Sequence, residues 1–514
     1  MLSRFVYPLG GLLFGCALVA ALELALRVSG VAERPPRRDP FSGFSSAVPV
    51  FERGQRDDGT AVYKMAEWRF AADRMYRAEP QHDFLADPPA DNFRVFVIGG
   101  SSSAGFPYST EQAFSSWLEQ RLRHALPDQP VEVVNAALVS YGSRRLLPMV
   151  HAIAEYAPDL LVVYMGHNEA AEASYHRSIL ELDPRLFRML EFVYRTRIYR
   201  LAARMLPETS APRELPDEEG QEWRREMFGV MRARGKGRGY ADEREVALRD
   251  LLYERNLREM ADTMKSVGAR VAFLTLSQNF SDWAPAASRY RTDLSVVDRR
   301  KWEKLVSEGA RWEKEDDAKA LDAYTRALEI DDGYAELHFH VAGCHRRLGA
   351  LELARQHYLL ASDLDEVPHG APTHFNDIVR RVAEETDSLF VDVYAAFGEE
   401  SGADLVGNDL FTDFAHPNLR AHQRIGELIA DALQQAGVPQ PGDRWLEADA
   451  AIPATGQIYA ERPELRTKEL QSRVICCLIN MRDACRAEAD RLIELAPDDK
   501  FAHAVLRWKP RGRR

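Results

Sequence analysis

Five short apolar segments alternate with amphipathic segments through the middle of the chain. The apolar segments cover residues 93–98, 131–135, 160–165, 270–276 and 389–393 and are rich in Val, Leu or Phe. This length and composition are typical of buried strands. The amphipathic segments at 112–126, 253–265, 375–385 and 421–435 have helical spacing. The alternation predicts an α/β fold: a parallel sheet of about five strands with helices on both faces. In such folds, functional groups lie where loops leave the carboxyl ends of the strands.

The N-terminal segment predicts a transmembrane anchor at residues 5–28. Residues 5–22 are 18 positions without a charge, and apolar residues continue past Glu23, which can pair with Arg27 one turn later. A cleaved signal peptide and a buried core helix remain as alternatives. Arg4 precedes the segment, and four arginines follow it: Arg27, Arg34, Arg37 and Arg38. Because arginines beside a span favour the cytoplasmic side, this distribution opposes export of the part of the chain that follows the anchor. Residues 29–89 are assigned as a linker leading into the fold.

Two insertions interrupt the strand pattern. A polar, Arg-rich insertion covers about 170–250, within the first part of the core at 90–298. Within it, residues 186–206 are amphipathic and carry five arginines, which fits either a membrane surface or packing against the core; packing is favoured. The second insertion, at 299–368, separates this part from the second part of the core at 369–437.

The second insertion contains an internal repeat. Ala320, Tyr324 and Ala327 recur 34 residues later as Ala354, Tyr358 and Ala361. This period resembles tetratricopeptide (TPR) repeats. The C-terminal region at 438–514 is predicted to be helical, with a partial third unit at Cys485, Ala489, Leu492 and Pro497. An ordinary helical hairpin with a chance period is the alternative. Such repeats serve either to bind a protein partner or only to pack.

Composition and charge exclude several classes of protein. Hydrophobic residues make up 46% and charged residues 28%, which excludes a disordered chain and a multi-span membrane protein. The net charge of −12 disfavours a general nucleic-acid binder, because a polyanion requires a basic surface. Five cysteines are too few and too irregularly spaced for a disulfide scaffold or a zinc ribbon. Since no metal-ligand cluster or phosphate-binding loop stands out either, no metal and no cofactor are predicted.

Candidate catalytic groups appear after the first predicted strand and near the end of the predicted fold. After the first strand, Gly99 and Gly100 form a turn followed by three serines, so a hydroxyl is presented at the strand's carboxyl end. Near the end of the fold, Asp413 precedes His416 by three residues, so the carboxylate can hold the imidazole. A serine, a histidine and an acid are what nucleophilic catalysis requires. The Gly-Gly-Ser-Ser-Ser segment alone is equally an ordinary loop or helix cap, and the residues do not separate the three serines.

The order of these motifs resembles the SGNH hydrolases, the GDSL-type lipase and esterase superfamily. The first family block, Gly-Asp-Ser-x-x-x-Gly, matches residues 99–105, with Gly100 in place of the aspartate. The resemblance assigns Ser101 as the nucleophile. The final block, Asp-x-x-His, matches Asp413 and His416. The resemblance covers residues 90–298 and 369–437 and implies a flavodoxin-like sheet.

The same resemblance implies an oxyanion hole. Its donors are the N–H groups of Ser101 and Ser140 and the side-chain amide of Asn168, which lies in the block Gly-His-Asn-Glu at 166–169. Ser140 stands where the family has glycine. Three neighbouring residues remain as alternates: Gly142, Gly166 and His167.

The resemblance implies a serine-dependent hydrolase of acyl esters, with short-chain or acetyl groups on cell-envelope carbohydrate as the expected substrate. It also places the body outside the cytoplasm, on the periplasmic side. Two other functions remain open. One is an O-acyltransferase that uses the same triad, and the other is a catalytically inactive scaffold that binds partners through its repeats.

Overall fold

The structure is a computed structural model. It describes residues 3–33, 41–66, 83–180, 182–205, 243–368, 370–402, 405–446, 455–479 and 485–507, with residues 3–13 described by their backbone alone. The strands are β1 Phe51–Gln55, β2 Ala61–Met65, β3 Phe84–Leu85, β4 Phe93–Gly99, β5 Val131–Asn135, β6 Leu160–Tyr164, β7 Arg270–Leu274 and β8 Leu389–Val391. The helices of the first half are α1 Ser3–Val28, α2 Ser101–Ala104, α3 Phe114–Ala125, α4 Ser143–Ile153, α5 Glu169–Tyr175, α6 Arg177–Leu180, α7 Pro184–Arg195, α8 Arg197–Met205 and α9 Glu243–Ser266. Those of the second half are α10 Val296–Trp312, α11 Asp317–Leu328, α12 Ala335–Arg347, α13 Leu351–Asp363, α14 Phe375–Glu385, α15 Val393–Glu400, α16 Leu419–Gln435, α17 Thr455–Glu461, α18 Glu464–Ile479, α19 Cys485–Leu495 and α20 Lys500–Arg507.

The central sheet has five parallel strands in the order β5-β4-β6-β7-β8. This is the flavodoxin-like order, in which the chain moves first to one side of β4 and then to the other. Every residue of β4 and β6 is buried, because helices cover both faces of the sheet. Helices α3 and α16 pack against each other, and α9 packs against α4 and α14. The predicted α/β fold with a five-stranded parallel sheet is confirmed.

A second, antiparallel sheet of β1, β2 and β3 lies within the segment assigned as a linker. The linker assignment is therefore wrong for this stretch. Its aromatic side chains join the main core: the Phe84 ring lies 5.0 Å from that of Phe51 and 5.4 Å from that of Phe96. A turn containing Asp58 and Gly59 connects β1 and β2, and Gly59 has a positive φ of 86°. An Asp-Gly pair is a common hairpin turn, but β1 is mostly polar, so the sequence lacks the apolar alternation that would have marked this strand.

The insertion between β7 and β8 consists of the four helices α10–α13. The repeated positions are buried: Ala320, Tyr324 and Ala327 in α11, and Ala354, Tyr358 and Ala361 in α13. The Tyr324 ring lies against Gly309 of α10, where an added Cβ would come within 2.3 Å of the ring. The small residue thus lets two helices approach closely. The relation of these helices, and of the C-terminal helices α17–α20, to TPR repeats stays a prediction.

The segment predicted as a membrane anchor forms α1, whose side chains at residues 3–13 lie outside the description. Within the described part of the chain, no helix is both long and apolar enough to cross a membrane. The predicted span is therefore not supported. The Arg-rich insertion forms α5–α8 and the start of α9, and its residues 206–242 lie outside the described residues.

Candidate active site

Ser101 is the first residue of α2, and only Gly100 separates it from the carboxyl end of β4. Its Oγ lies 2.7 Å from Nε2 of His416. The next two serines point elsewhere. Ser102 donates to the carbonyl of Ala415 at 2.9 Å, and Ser103 donates to that of Tyr164 at 2.7 Å. The structure therefore separates the three hydroxyls that the sequence could not, and only Ser101 faces the imidazole.

The side chain of Asp413 holds the other side of the His416 ring. Nδ1 of His416 lies 2.7 Å from Oδ1 and 2.9 Å from Oδ2 of Asp413. Asp413 is fully buried and His416 nearly so. Burial alone raises the pKa of Asp413, but the positive charge of His416 and hydrogen bonds from His416, Ser472 and Ala415 outweigh it and lower the pKa to about 2. The carboxylate is thus ionised at neutral pH and fixes the orientation of the imidazole.

Helix α18, in the C-terminal region, supplies support that the sequence analysis missed. Ser472 donates a 2.7 Å hydrogen bond to Oδ2 of Asp413. The guanidinium of Arg473 donates to the carbonyl of Thr412 at 2.7 Å. Residue 472 lies 59 positions after the acid, in a segment without a recognisable motif, so spacing could not reveal the contact.

The predicted oxyanion donor Asn168 lies beside Gly100 and contacts the segment that carries Ser140. The Asn168 side-chain amide donates to the carbonyl of Tyr141 at 3.1 Å, which leaves its second N–H available. The same nitrogen lies 2.2 Å from where a Cβ of residue 100 would be, so the amide packs directly on the Gly100 backbone beside Ser101. Ser140, next to Tyr141, has a left-handed backbone with φ of 61°. Asn168 thus contacts both the residue before Ser101 and the residue after Ser140.

Gly142 and Gly166, the two glycines named as alternate oxyanion donors, are both engaged in other contacts. The N–H of Gly142 donates to Oε2 of Glu172 at 2.7 Å, so this donor is already engaged. Gly166, with φ of 152°, lies where an added Cβ would come 2.3 Å from the Leu276 side chain, and its carbonyl accepts from the N–H of Glu169. Its geometry indicates a turn after β6 rather than an oxyanion donor.

His167 is buried between the sheet and the segment that follows the helical insertion. Its Nδ1 accepts the backbone N–H of Ala371 at 3.1 Å, so the neutral ring carries its proton on Nε2. Burial and the nearby charge of His416 lower the pKa of His167 to about 3. The ring therefore stays neutral at physiological pH, and because its unprotonated nitrogen Nδ1 already accepts the Ala371 N–H, it does not replace His416 as the base of Ser101.

A buried pair of carboxylates supports the start of α4. Glu169 accepts the N–H of Ser143 at 2.6 Å, and Glu172 pairs with Nε of Arg145 at 2.9 Å. Burial and the neighbouring Glu172 carboxylate raise the pKa of Glu169 to about 8. The cluster orients the loop that carries Ser140 and Tyr141, because Arg145 also donates to the Ser140 carbonyl.

Aromatic side chains enclose His416. The Phe106 ring lies 4.6 Å and the Phe414 ring 5.3 Å from the imidazole, measured between centroids. Phe414 also borders a cleft of about 30 Å³ that Phe339 and Tyr358 of the helical insertion line from the other side. The insertion therefore lines a cleft that reaches Phe414, the residue whose ring contacts His416.

The described residues contain no group of three or more His, Cys, Asp or Glu side chains that could hold a metal ion. The arrangement around Ser101 contains the groups that nucleophilic acyl transfer requires: a hydroxyl, a base, an orienting acid and candidate N–H donors.

Comparison with protein-family models and with curated proteins found no match. Several solved structures resemble this chain at low similarity. TesA shares 15% identity over 66% of this chain and 98% of its own, with a TM-score of 0.27. Axe2, an acetylxylan esterase from Geobacillus stearothermophilus, shares 13% over 66% and 94%, with a TM-score of 0.30. The esterase EstA from Pseudoalteromonas sp. shares 11% over 67% and 97%, with a TM-score of 0.28. Likeness at this level assigns neither family nor substrate.

Proposed function

We propose that this chain is a serine-dependent esterase of the SGNH type. The observation that carries the proposal is the continuous chain of contacts from Ser101 Oγ to His416 Nε2 at 2.7 Å and from His416 Nδ1 to Asp413 Oδ1 at 2.7 Å. Nucleophile, base and orienting acid stand in hydrogen-bond order, which a scaffold that only binds partners does not require.

In the proposed reaction, Ser101 Oγ attacks the carbonyl carbon of an ester while His416 accepts the hydroxyl proton. The C–O bond to the alcohol then breaks, and His416 returns the proton to the departing oxygen. Water attacks the acyl-serine with His416 again as base, which releases the carboxylic acid and regenerates Ser101. The Asn168 amide and the N–H groups of Ser101 and Ser140 stabilise the oxyanion in both steps.

A short acyl group is the proposed acyl part of the substrate. What supports this is the crowding around the base: the rings of Phe106 and Phe414 lie 4.6 Å and 5.3 Å from the imidazole of His416, between centroids, while Ser101 Oγ contacts its Nε2. An acetyl group needs less room beside these rings than a long acyl chain does.

The test is labelling with a fluorophosphonate, together with hydrolysis of p-nitrophenyl acetate. We expect labelling of the unmodified chain and none of Ser101→Ala, with turnover reduced roughly 10⁴-fold or more. Ser103→Ala is the matched control, since its hydroxyl donates to Tyr164 and not to His416. Labelling of Ser101→Ala at the parental level would refute the proposal.

A further inference from the structure

Helix α1 exposes large apolar side chains from Phe14 to its end. Phe14 is 67% exposed and Val28 81%, and other apolar side chains between them are more than half exposed: Leu18, Val19, Leu22 and Leu24. Single exposed apolar residues are ordinary on protein surfaces. A run of them along one helix is not, and it marks a surface that contacts something other than water.

Helix α7 continues this apolar character. Its inner face packs on the protein, where the Phe187 and Tyr194 rings each lie 5.5 Å from that of Phe41. Its outer face carries an exposed apolar row at helical spacing: Leu186, Met189, Leu190 and Val193. The sequence analysis favoured packing of residues 186–206 against the core. The inner face of α7 does pack, through Phe187 and Tyr194, whereas the apolar row on its outer face stays exposed.

Arginines surround Phe192, the most exposed apolar side chain of α7 at 70%. Arg185, Arg188 and Arg195 are exposed, and helical spacing places each of them within about 60° of Phe192 around the helix axis, whereas Arg188 and Arg195 lie on the side opposite Leu186. Residues 183–205 contain six arginines against two acidic residues, which gives a local charge of +4 in a chain whose net charge is −12. The arginines therefore make α7 and α8 locally basic in an acidic chain.

The two apolar surfaces are held together by Glu23. Its carboxylate accepts the backbone N–H groups of Arg197 at 3.0 Å and Ile198 at 3.1 Å, the first two residues of α8. Arg27 of α1 pairs with the same carboxylate at 2.7 Å. The acid thus caps α8 from a neighbouring helix and fixes α1 beside the α7–α8 unit.

We propose that the outer face of α7, together with the exposed part of α1, binds the surface of an anionic phospholipid bilayer. The apolar row enters the boundary between headgroups and acyl chains, and the arginines contact lipid phosphates. The positive charge favours an anionic bilayer over other binding partners. Apolar side chains with arginines beside them match a bilayer surface, where acyl chains lie beneath anionic headgroups. This inference does not depend on the proposed esterase activity.

The experiment uses a tryptophan introduced at Phe192, which is 70% exposed on α7. The full-length Phe192→Trp chain is mixed with vesicles of phosphatidylglycerol and brominated phosphatidylcholine, and quenching is compared with that of the parent chain. We expect the added emission to fall roughly twofold or more, since bromine quenches tryptophan only within the lipid layer. Leu353→Trp, at a 45% exposed position on α13, is the matched control and should not be quenched.

Two further arms complete the test. Adding Arg185→Gln and Arg188→Gln should reduce the quenching several-fold, and vesicles without phosphatidylglycerol should give little of it. Equal quenching at positions 192 and 353, or no dependence on anionic lipid, would overturn the proposal. So would a blue shift of the added emission with rising protein concentration in the absence of vesicles, because a second copy of the chain would then be the occupant.

Discussion

Ser472 on α18 donates a 2.7 Å hydrogen bond to Oδ2 of Asp413, the acid that orients His416. Both residues are buried, so the bond forms away from competing water. The C-terminal helical region, which lies outside the segments that resemble the hydrolase family, therefore contributes to the position and charge of the triad acid. We regard Ser472 as a positioning residue.

We predict that Ser472→Ala lowers kcat for p-nitrophenyl acetate about tenfold while KM stays within a factor of two. A hydrogen bond to a charged group contributes about 1.5 kcal/mol or more, and about 1.4 kcal/mol corresponds to one factor of ten. Loss of this donor also raises the pKa of Asp413 from about 2, so the ionised form is lost at a higher pH. The acid limb of the pH–kcat profile should therefore move upward.

Two controls separate positioning from folding. Ser472→Thr keeps the hydroxyl and should restore most of kcat. Gln471→Ala removes a contact of the same helix to Asp499 and should leave the pH profile unchanged. If Ser472→Ala lowered only the melting temperature, with the profile unmoved, α18 would be a packing element alone.

A second prediction concerns Gly100, which stands where the hydrolase family has aspartate. A Cβ at this position would lie 2.2 Å from Nδ2 of Asn168, so Gly100→Ala must displace the amide. If the amide stabilises the oxyanion, Gly100→Ala and Asn168→Ala should each lower kcat by roughly 10² to 10³ with little change in KM. Combining them should cost little more than either change alone. Additive losses would show that Gly100 acts independently of Asn168.

A third prediction concerns Ser140, whose φ of 61° is unfavourable for a residue with a side chain. Ser140→Gly keeps the backbone N–H and relieves the strain, so we expect kcat within about threefold and no loss of stability. Turnover and melting temperature measured on the same preparation check both parts. A loss of kcat comparable to that of Asn168→Ala would mean that the Ser140 hydroxyl is the group that acts.

Much of the fold could be predicted because local composition determined it. The strand 131–135 and the helix 375–385 agree with the structure to the residue, since each is a short apolar or amphipathic run with clear ends. Ser101 was assigned from its resemblance to the family block that follows the strand 93–98, and Asp413 and His416 from the Asp-x-x-His block near the end of the fold. By contrast, the contact of Ser472 with Asp413 depends on tertiary packing across 59 residues, and no local pattern encodes it. The engagement of Gly142 by Glu172 was hidden for the same reason.

The last prediction concerns the buried pair Glu169 and Glu172. Burial and the second carboxylate raise the pKa of Glu169 from 4.5 to about 8, so the folded chain retains a proton that the unfolded chain releases. Between these values the folded state binds more protons, and the free energy of unfolding must fall as pH rises. Glu169→Gln removes this titration and keeps an acceptor for the Ser143 N–H. We expect urea midpoints that match the parent near pH 5 and exceed it at pH 8.

Glu172→Gln is the informative comparison for this prediction. Glu172 pairs with Arg145, whose side chain is only 3% exposed, so neutralising the acid leaves a buried guanidinium without its counter-charge. This variant should be less stable than the parent at both pH values. Because Arg145 also donates to the Ser140 carbonyl, its kcat should fall as well, whereas Glu169→Gln should leave kcat nearly unchanged. Parallel pH–stability curves for Glu169→Gln and the parent would show that the pair holds no extra proton. Both carboxylates would then be ionised, and Arg145 and the N–H groups at the start of α4 would stabilise their negative charges.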